Sequence, residues 1–330
     1  FFLSTAVLCA QQARLDRFFP SSTQIFVSVD NVERLAESWK KTQLHQTLAA
    51  EQFQEFRDSI RQQIESAWPN RLGLTLDDLK SLPSGEVAAG LVAIPGKKPG
   101  FAVMMNVDGN ADEVNAFIQR IINQVESQQR GHASAMRMPV GNTAVNVNVL
   151  EFPTQDGAKM TAYYAALPKL LIATDQDYLC SLLLQRLSGV KGAAVSDRPE
   201  YQAVVQRCAD DANSKNMPQI RFFADPLLAG EAIRSLVPAE KLQGQSPFAV
   251  LSNQGFSGIK GVGGTIDFSV DDFECVYRLK IYIPQPATKA LKALSFSNVE
   301  NLDPPQWIGR NASRYTLVNL NALTTFNNIG

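Results

Sequence analysis

An apolar strand that runs into Asp or Asn and then at once into a helix-like stretch recurs about five times along this chain. The clearest copies are Thr23-Gln24-Ile25-Phe26-Val27-Ser28-Val29-Asp30-Asn31-Val32 and Phe101-Ala102-Val103-Met104-Met105-Asn106-Val107-Asp108; the others end at Asp175, at Asp225-Pro226 and at Asn319-Leu320-Asn321. The unit limits the fold because a short polar side chain accepts hydrogen bonds from the unpaired amides of a helix's first turn. Pro226 also suits the first helical position. Asp30, Asp108, Asp175 and Asp225 therefore read as helix caps, not as a row of catalytic acids at strand ends.

Between these units the chain reads as hairpins. Runs at 86–94 and 101–107 are separated by Pro95-Gly96-Lys97-Lys98-Pro99-Gly100, and runs at 133–139 and 143–152 meet through Gly141-Asn142. Two more strands are expected at 159–167 and 169–174, and a long alternating pair at 258–268 and 274–283 turns at Asp271-Asp272. Such a succession argues for an antiparallel meander. In the last run Arg278 and Lys280, set against Val276, Leu279 and Ile281, suggest one wet face and one buried face. Helices are expected over 32–49, 51–67, 111–129, 176–188, 198–213 and 226–236 from their apolar spacing. The stripe Phe53, Phe56, Ile60 and Ile64 reads as packing against a sheet, with the lining of a hydrophobic-ligand cavity as the alternative. The fold class is α+β: large, mainly antiparallel sheet surfaces with helices packed on one face.

With 330 residues, 45% hydrophobic and 19% charged, the chain can bury roughly 75% of its unfolded surface and needs no metal or disulfide to hold a core. A net charge of −1 argues against a sequence-independent grip on nucleic acid. Phe1-Phe2-Leu3-Ser4-Thr5-Ala6-Val7-Leu8-Cys9-Ala10 is apolar, ends in small residues and precedes polar Gln11-Gln12. Residues 1–12 read as the remnant of a signal peptide cut near Ala10; a short buried helix and a lipid anchor on Cys9 are the alternatives. No other segment approaches the roughly 18 apolar residues of a membrane span, so none is expected in the mature chain. Residues 13–302 are expected to form an α+β domain with two sub-halves, about 13–195 and 196–302. The break Asp303-Pro304-Pro305-Gln306-Trp307 and the renewed strand pattern at 313–321 mark 303–330 as the start of a second repeat, or as one more terminal strand and helix completing the sheet. The sequon Asn311-Ala312-Ser313 reads as chance.

Chemistry-bearing residues are sparse. Cys180, Cys208 and Cys275 look like core helix and strand positions, where cysteine acts as a small hydrophobe; one disulfide between two of them is the alternative in an oxidising compartment. His45 on a polar helix side and His132 in a loop make no metal cluster. No G-x-S-x-G elbow supports a hydrolytic triad. The glycine-rich Gly258-Ile259-Lys260-Gly261-Val262-Gly263-Gly264 lacks the ending of a phosphate loop and reads as a strand with a bulge or close backbone contact. Asp77-Asp78, Asp210-Asp211 and Asp271-Asp272 are adjacent pairs that share no face. A carboxylate pair assembled from distant residues is the route left for a hydrolase.

The opening Phe19-Pro20-Ser21-Ser22-Thr23-Gln24-Ile25-Phe26-Val27-Ser28-Val29, followed by Leu35-Ala36-Glu37-Ser38-Trp39-Lys40-Lys41-Thr42, resembles the uncharacterised exported proteins of planctomycete-type bacteria, a large family of unknown function. The stretch from Tyr163-Tyr164-Ala165-Ala166-Leu167 to Asp175, and the Pro304-Pro305-Gln306-Trp307 break, are also similar. The resemblance implies an envelope or periplasmic location and brings no site residues. The expectation is a non-enzymatic exported binding or structural protein of the cell envelope. Its partners would be other envelope proteins, and no catalytic, cofactor-binding or metal residues are assigned. A periplasmic carrier of a hydrophobic ligand and a cryptic hydrolase are the alternatives. An interaction module calls for an exposed apolar patch, a carrier for a dry cavity of several hundred Å3, and a hydrolase for converging acids with shifted pKa values in a cleft.

Overall fold

The computed structural model describes residues 14–67, 72–127, 131–153, 159–212, 217–237, 242, 244, 246–294 and 306–309. The segment 1–12 expected to be a signal-peptide remnant, with Cys9, and the strand expected at 313–321 lie outside them.

Ten strands form one sheet. They are β1 (Thr23–Val29), β2 (Val87–Val92), β3 (Gly100–Asn106), β4 (His132–Val140), β5 (Thr143–Pro153), β6 (Lys159–Leu167), β7 (Leu170–Thr174), β8 (Ile220–Ala224), β9 (Gly261–Val270) and β10 (Phe273–Tyr282). Their order is β10-β9-β8-β1-β2-β3-β7-β6-β5-β4, and every neighbouring pair is antiparallel. The α+β class and the antiparallel meander are as the sequence reads. The sheet passes without a break through both expected sub-halves, because β8 pairs with β1 from Val29↔Ile220 to Ile25↔Ala224.

The helices are α1 (Val32–Lys40), α2 (Gln43–Ala49), α3 (Gln54–Ala67), α4 (Leu76–Ser81), α5 (Ala111–Ser127) and α6 (Asp177–Leu187). A composite α7 follows, made of Pro199–Tyr201, a π-helical Gln202–Gln206 and Arg207–Asp211; then come α8 (Pro226–Ser235) and α9 (Pro247–Asn253). Helices cover both faces of the sheet, not one. Strand alternation shows this directly. On β3, Ala102 and Met104 join a core with Ile172 and with Leu179, Leu183 and Leu184 of α6. Val103 and Met105 point the other way, into a core with Phe117, Ile118 and Ile121 of α5. The first core also holds Phe26 of β1, Phe223 of β8 and Tyr201 of α7, so it too spans both sub-halves. Phe19, Phe26, Tyr201 and Phe223 meet edge to face in sequence, at 5.3, 5.9 and 5.6 Å between ring centres.

Local signals set several boundaries. Asp225 caps α8 by accepting from the Leu228 amide at 3.2 Å, with Pro226 in the first turn. The other expected caps differ. Asn31, not Asp30, caps α1 by accepting from Arg34 N at 2.8 Å, and Asp30 pairs with the Arg34 guanidinium instead. Asp175 accepts from the Phe101 amide across the sheet, at 2.7 Å. Asp108 pairs with Lys169. The helix expected over 32–49 is two helices, because the Thr42 hydroxyl accepts from His45 N and starts a new one. His132 begins β4 instead of lying in a loop. The stripe on α3 is not sheet packing: Phe56 and Ile60 are exposed, and the helix lies against α2 and the turn Glu51–Phe53.

The glycine-rich stretch does what the sequence reading assigned to it. A Cβ on Gly264 would collide with the Arg278 carbonyl oxygen of the neighbouring strand, and one on Gly263 with the Phe222 carbonyl oxygen and the Val204 side chain. Backbone cannot retreat as a side chain tip can. Gly264→Ala should therefore lower stability by about 1–3 kcal/mol, read as a shift in urea midpoint; an unchanged midpoint would refute the close approach.

Candidate functional site

Two features stand apart from ordinary packing: a buried ionic cluster near the middle of the sheet, and a bare strand at its edge.

Arg221 is a charged residue in the otherwise apolar β8, and both it and Asp16 are 0% exposed. Its guanidinium donates to Asp16 Oδ2 at 2.9 Å and to Glu86 Oε1. Asp16 Oδ2 also accepts from the Tyr201 hydroxyl at 2.9 Å and from Arg14. Glu86 Oε2 accepts from the Leu15 amide at 2.9 Å. Two cations face two anions, so the cluster can be neutral as a whole. It ties the 3-10 turn Leu15–Arg17, the residue before β2, strand β8 and helix α7 to one another. Burial pushes the Glu86 carboxyl up from its ordinary value, with Arg221 and the Leu15 amide pulling against it. Burial, reinforced by Asp16, likewise pushes the Tyr201 hydroxyl up. For Arg14, burial opposes the charge, but Asp16 and Tyr201 outweigh it and the guanidinium is raised.

These are the converging acids that a hydrolase would need, so their surroundings decide the matter. A cleft of about 490 Å3 borders the cluster and has Arg14, Asp16 and Tyr201 in its wall together with Ser196 and Asp197, whereas Glu86 is not part of it. Each acid is held by a guanidinium, and three donors converge on one oxygen of Asp16. A general acid or base must meet a substrate; Glu86 is walled off from the cleft, while Asp16 borders it with Oδ2 taken by three donors and a buried Oδ1 that has no partner among the described residues. The cluster is a structural lock.

The apolar grooves are small and open. One of about 250 Å3 is bordered by Leu15, Phe18, Leu167, Leu170 and Leu187, and another of about 130 Å3 by Ile25, Val27, Leu72, Leu91 and Phe101. A carrier calls for several hundred Å3 that enclose most of the ligand.

The edge strand is different. β10 has β9 on one side and, among the described residues, no strand on the other. Its odd-numbered residues form one row: Phe273, Cys275, Tyr277, Leu279 and Ile281. Phe273 is 67% exposed, Tyr277 73%, Leu279 54% and Ile281 57%. The even-numbered residues Val276, Arg278, Lys280 and Tyr282 face the other way and are half-buried, while Glu274 is exposed and accepts from the Gln43 amide of α2. Lys280 pairs with Asp211 of α7, and Arg278 with Asp267 of β9 at 3.5 Å. The sequence reading thus had the faces reversed: the side with Arg278 and Lys280 is the covered one, and the side with Leu279 and Ile281 is bare. The neighbouring row on β9 is partly sheltered. Phe268 meets Trp39 of α1 at 5.2 Å, and Val262 and Ile266 are half-buried.

Other candidates stay separate. His45 lies beside Trp39 and His132 on β4. Among the described residues no group of three or more His, Cys, Asp or Glu is placed to hold a metal. Cys180 and Cys208 are buried and unbonded, and burial pushes the Cys180 thiol up to about 12. Cys275, expected in a core, is exposed in the bare row. Among the described residues, no helix is long and apolar enough to cross a membrane. No protein-family model, curated protein or solved structure matches the chain.

Two measurements test the cluster. Arg221→Met leaves two buried acids with one cation and should cost about 3–5 kcal/mol in urea unfolding; a loss below 1 kcal/mol would contradict the lock. Glu86 holds its proton to higher pH in the folded than in the unfolded chain, so its contribution is fully present below about pH 4.3 and falls as pH rises through the folded value. Glu86→Gln does not titrate there. The stability of wild type relative to Glu86→Gln should therefore shrink between pH 4.3 and pH 7.5; a flat or widening difference would contradict the raised carboxyl.

Proposed function

We propose that this is a non-enzymatic protein of the bacterial cell envelope, exported by the apolar leader at its start, and that it works by binding other proteins through the bare side and outer edge of β10. The observation that carries the reading is the exposed apolar row on that strand. Soluble proteins expose single hydrophobic residues routinely, but a contiguous patch marks an interaction site. An edge strand adds unpaired amides and carbonyls that another extended chain can satisfy. The row combines the two: side chains that gain from losing water and a backbone that offers a template.

The same features weigh against the other readings. The apolar grooves are too small and too open for a carried lipid, and the acids that converge are spent on arginine. The resemblance to exported planctomycete-type proteins agrees with an envelope role.

Replacing Leu279 with a photo-crosslinking phenylalanine analogue tests the reading in the cell that makes the protein. The expected result is a discrete intermolecular adduct from position 279 and none from the exposed Val190, in the loop after α6. No adduct, or one only to residues of the same chain, would overturn it.

A further inference from the structure

Resting on the reading of β10 as an interaction edge, we infer that its partner is a second copy of this chain, paired antiparallel β10 to β10 across a two-fold axis at Tyr277. The two sheets then join edge to edge.

Three observations point this way. First, the two ends of the sheet are not alike. β4, at the far edge, carries Pro139, which removes a backbone donor, and its apolar Met138 and Val140 are buried. Proline at an edge is a common guard against strand addition. β10 has ten residues and no proline, and it keeps one register with β9 from Cys275↔Phe268 to Tyr282↔Gly261, interrupted only near the turn, where Glu274 is skipped opposite Ser269 at φ 52. Among the described residues it is long and unguarded.

Second, charge along β10 is segregated. Asp271, Asp272 and Glu274 lie at its start, and Arg278 and Lys280 towards its end. A parallel copy would set like charges side by side; an antiparallel copy sets the acidic end against the basic end. Opposite charges directly across a strand pair stabilise it, and like charges destabilise it.

Third, one register gives every member of the bare row an apolar partner and still pairs Glu274 with Lys280, at the cost of setting Val276 opposite Arg278. A two-fold axis perpendicular to the sheet keeps each face on its own side, so cross-strand partners must share parity. With the axis at Tyr277, Phe273 faces Ile281, Cys275 faces Leu279, and Tyr277 faces its own copy. Every member of the bare row meets an apolar partner. On the other side Glu274 faces Lys280, twice per dimer. Shifting the axis to Val276 would keep charge pairs, Glu274 with Arg278 and Asp272 with Lys280, but would leave Ile281 of the bare row opposite the turn residue Asp271, and shifting it to Arg278 would set two guanidiniums together. In the single chain Glu274 accepts from the Gln43 amide at 2.7 Å and Lys280 pairs with Asp211. Lys280 and Asp211 are both solvent-accessible, so Lys280 can turn to a second acid across the axis at little cost.

The test is light scattering on the purified full chain with charge exchanges. Wild type should show twice the mass that denaturing mass spectrometry gives for one purified chain at micromolar concentration. Glu274→Lys and Lys280→Glu should each weaken the dimer by on the order of tenfold, because each sets like charges opposite each other at two places. The combined Glu274→Lys and Lys280→Glu variant should restore it, since the pair is re-formed in reverse. Thermal melts at low concentration show whether each variant keeps its fold. A wild type that stays monomeric, or a dimer indifferent to all three variants, would overturn the inference. So would a combined variant weaker than either single one, which is the signature of the axis at Val276. A monomer that still gives the position-279 adduct with a different protein would sink self-association and leave the interaction edge standing.

Discussion

The structure depends on one buried interaction, the Arg221 guanidinium held between Asp16 and Glu86. A ten-stranded antiparallel sheet assembled from distant hairpins has a weak point where the early and late parts of the chain meet. Here that seam is β1 against β8, five residues long on the β8 side. Backbone bonds over so short a strand specify position poorly, since hydrophobic contacts are non-directional. Arg221 supplies direction. It reaches an acid before β1 and another before β2, and Tyr201 hands one of those acids on to the aromatic core. Burying charge is costly, and a buried ion pair often adds no net stability over an apolar replacement. Its value is specificity: a sheet slipped by one residue at the seam would turn Arg221 to the opposite face and strand two carboxylates without their cation.

A sheet locked at its centre leaves its rims to be managed separately. Helices on both faces cover most of the width, but the face that holds Ile25, Val27, Phe222 and Ile266 is only partly sheltered, and among the described residues the cover reaches β10 only at Glu274, through the Gln43 amide. The opposite face of β10 is served by α7 through Asp211. One side of the strand is thus tied into the domain while the other shows Phe273, Tyr277, Leu279 and Ile281 to water. β4 ends the sheet with Pro139 and buried Met138 and Val140. The contrast between the two edges is what gives the bare one functional meaning.

Much of the architecture could be read from local pattern. The alternating runs and their glycine and proline turns named the hairpins, and Asp225 with Pro226 named a helix start, because a cap is a bond between neighbours three residues apart. The glycines of β9 were legible as close contacts for the same reason. What could not be read is whatever depends on distant partners. Asp175 looked like a cap, but its carboxylate goes to an amide 74 positions away. The cluster left one trace, an arginine in the apolar run Ile220-Arg221-Phe222-Phe223, while its acids lie 205 and 135 positions off. For β10, alternation told that two faces differ, not which one is covered. Helices were placed on one face because periodicity shows that a helix has an apolar side, not which side of a sheet receives it. Thr42 broke a helix that continuous spacing had joined.

The central claim is that β10 is an open edge in the single chain and closes when a partner adds to it. Amide hydrogen exchange at two protein concentrations tests this most directly. The account predicts that the amides of β10 facing away from β9 exchange quickly in dilute solution and slow markedly in concentrated solution, while β8 and β1 stay protected in both. Outward amides of β10 that are equally slow at both concentrations would mean the edge is already covered within the chain. That result would contradict the account.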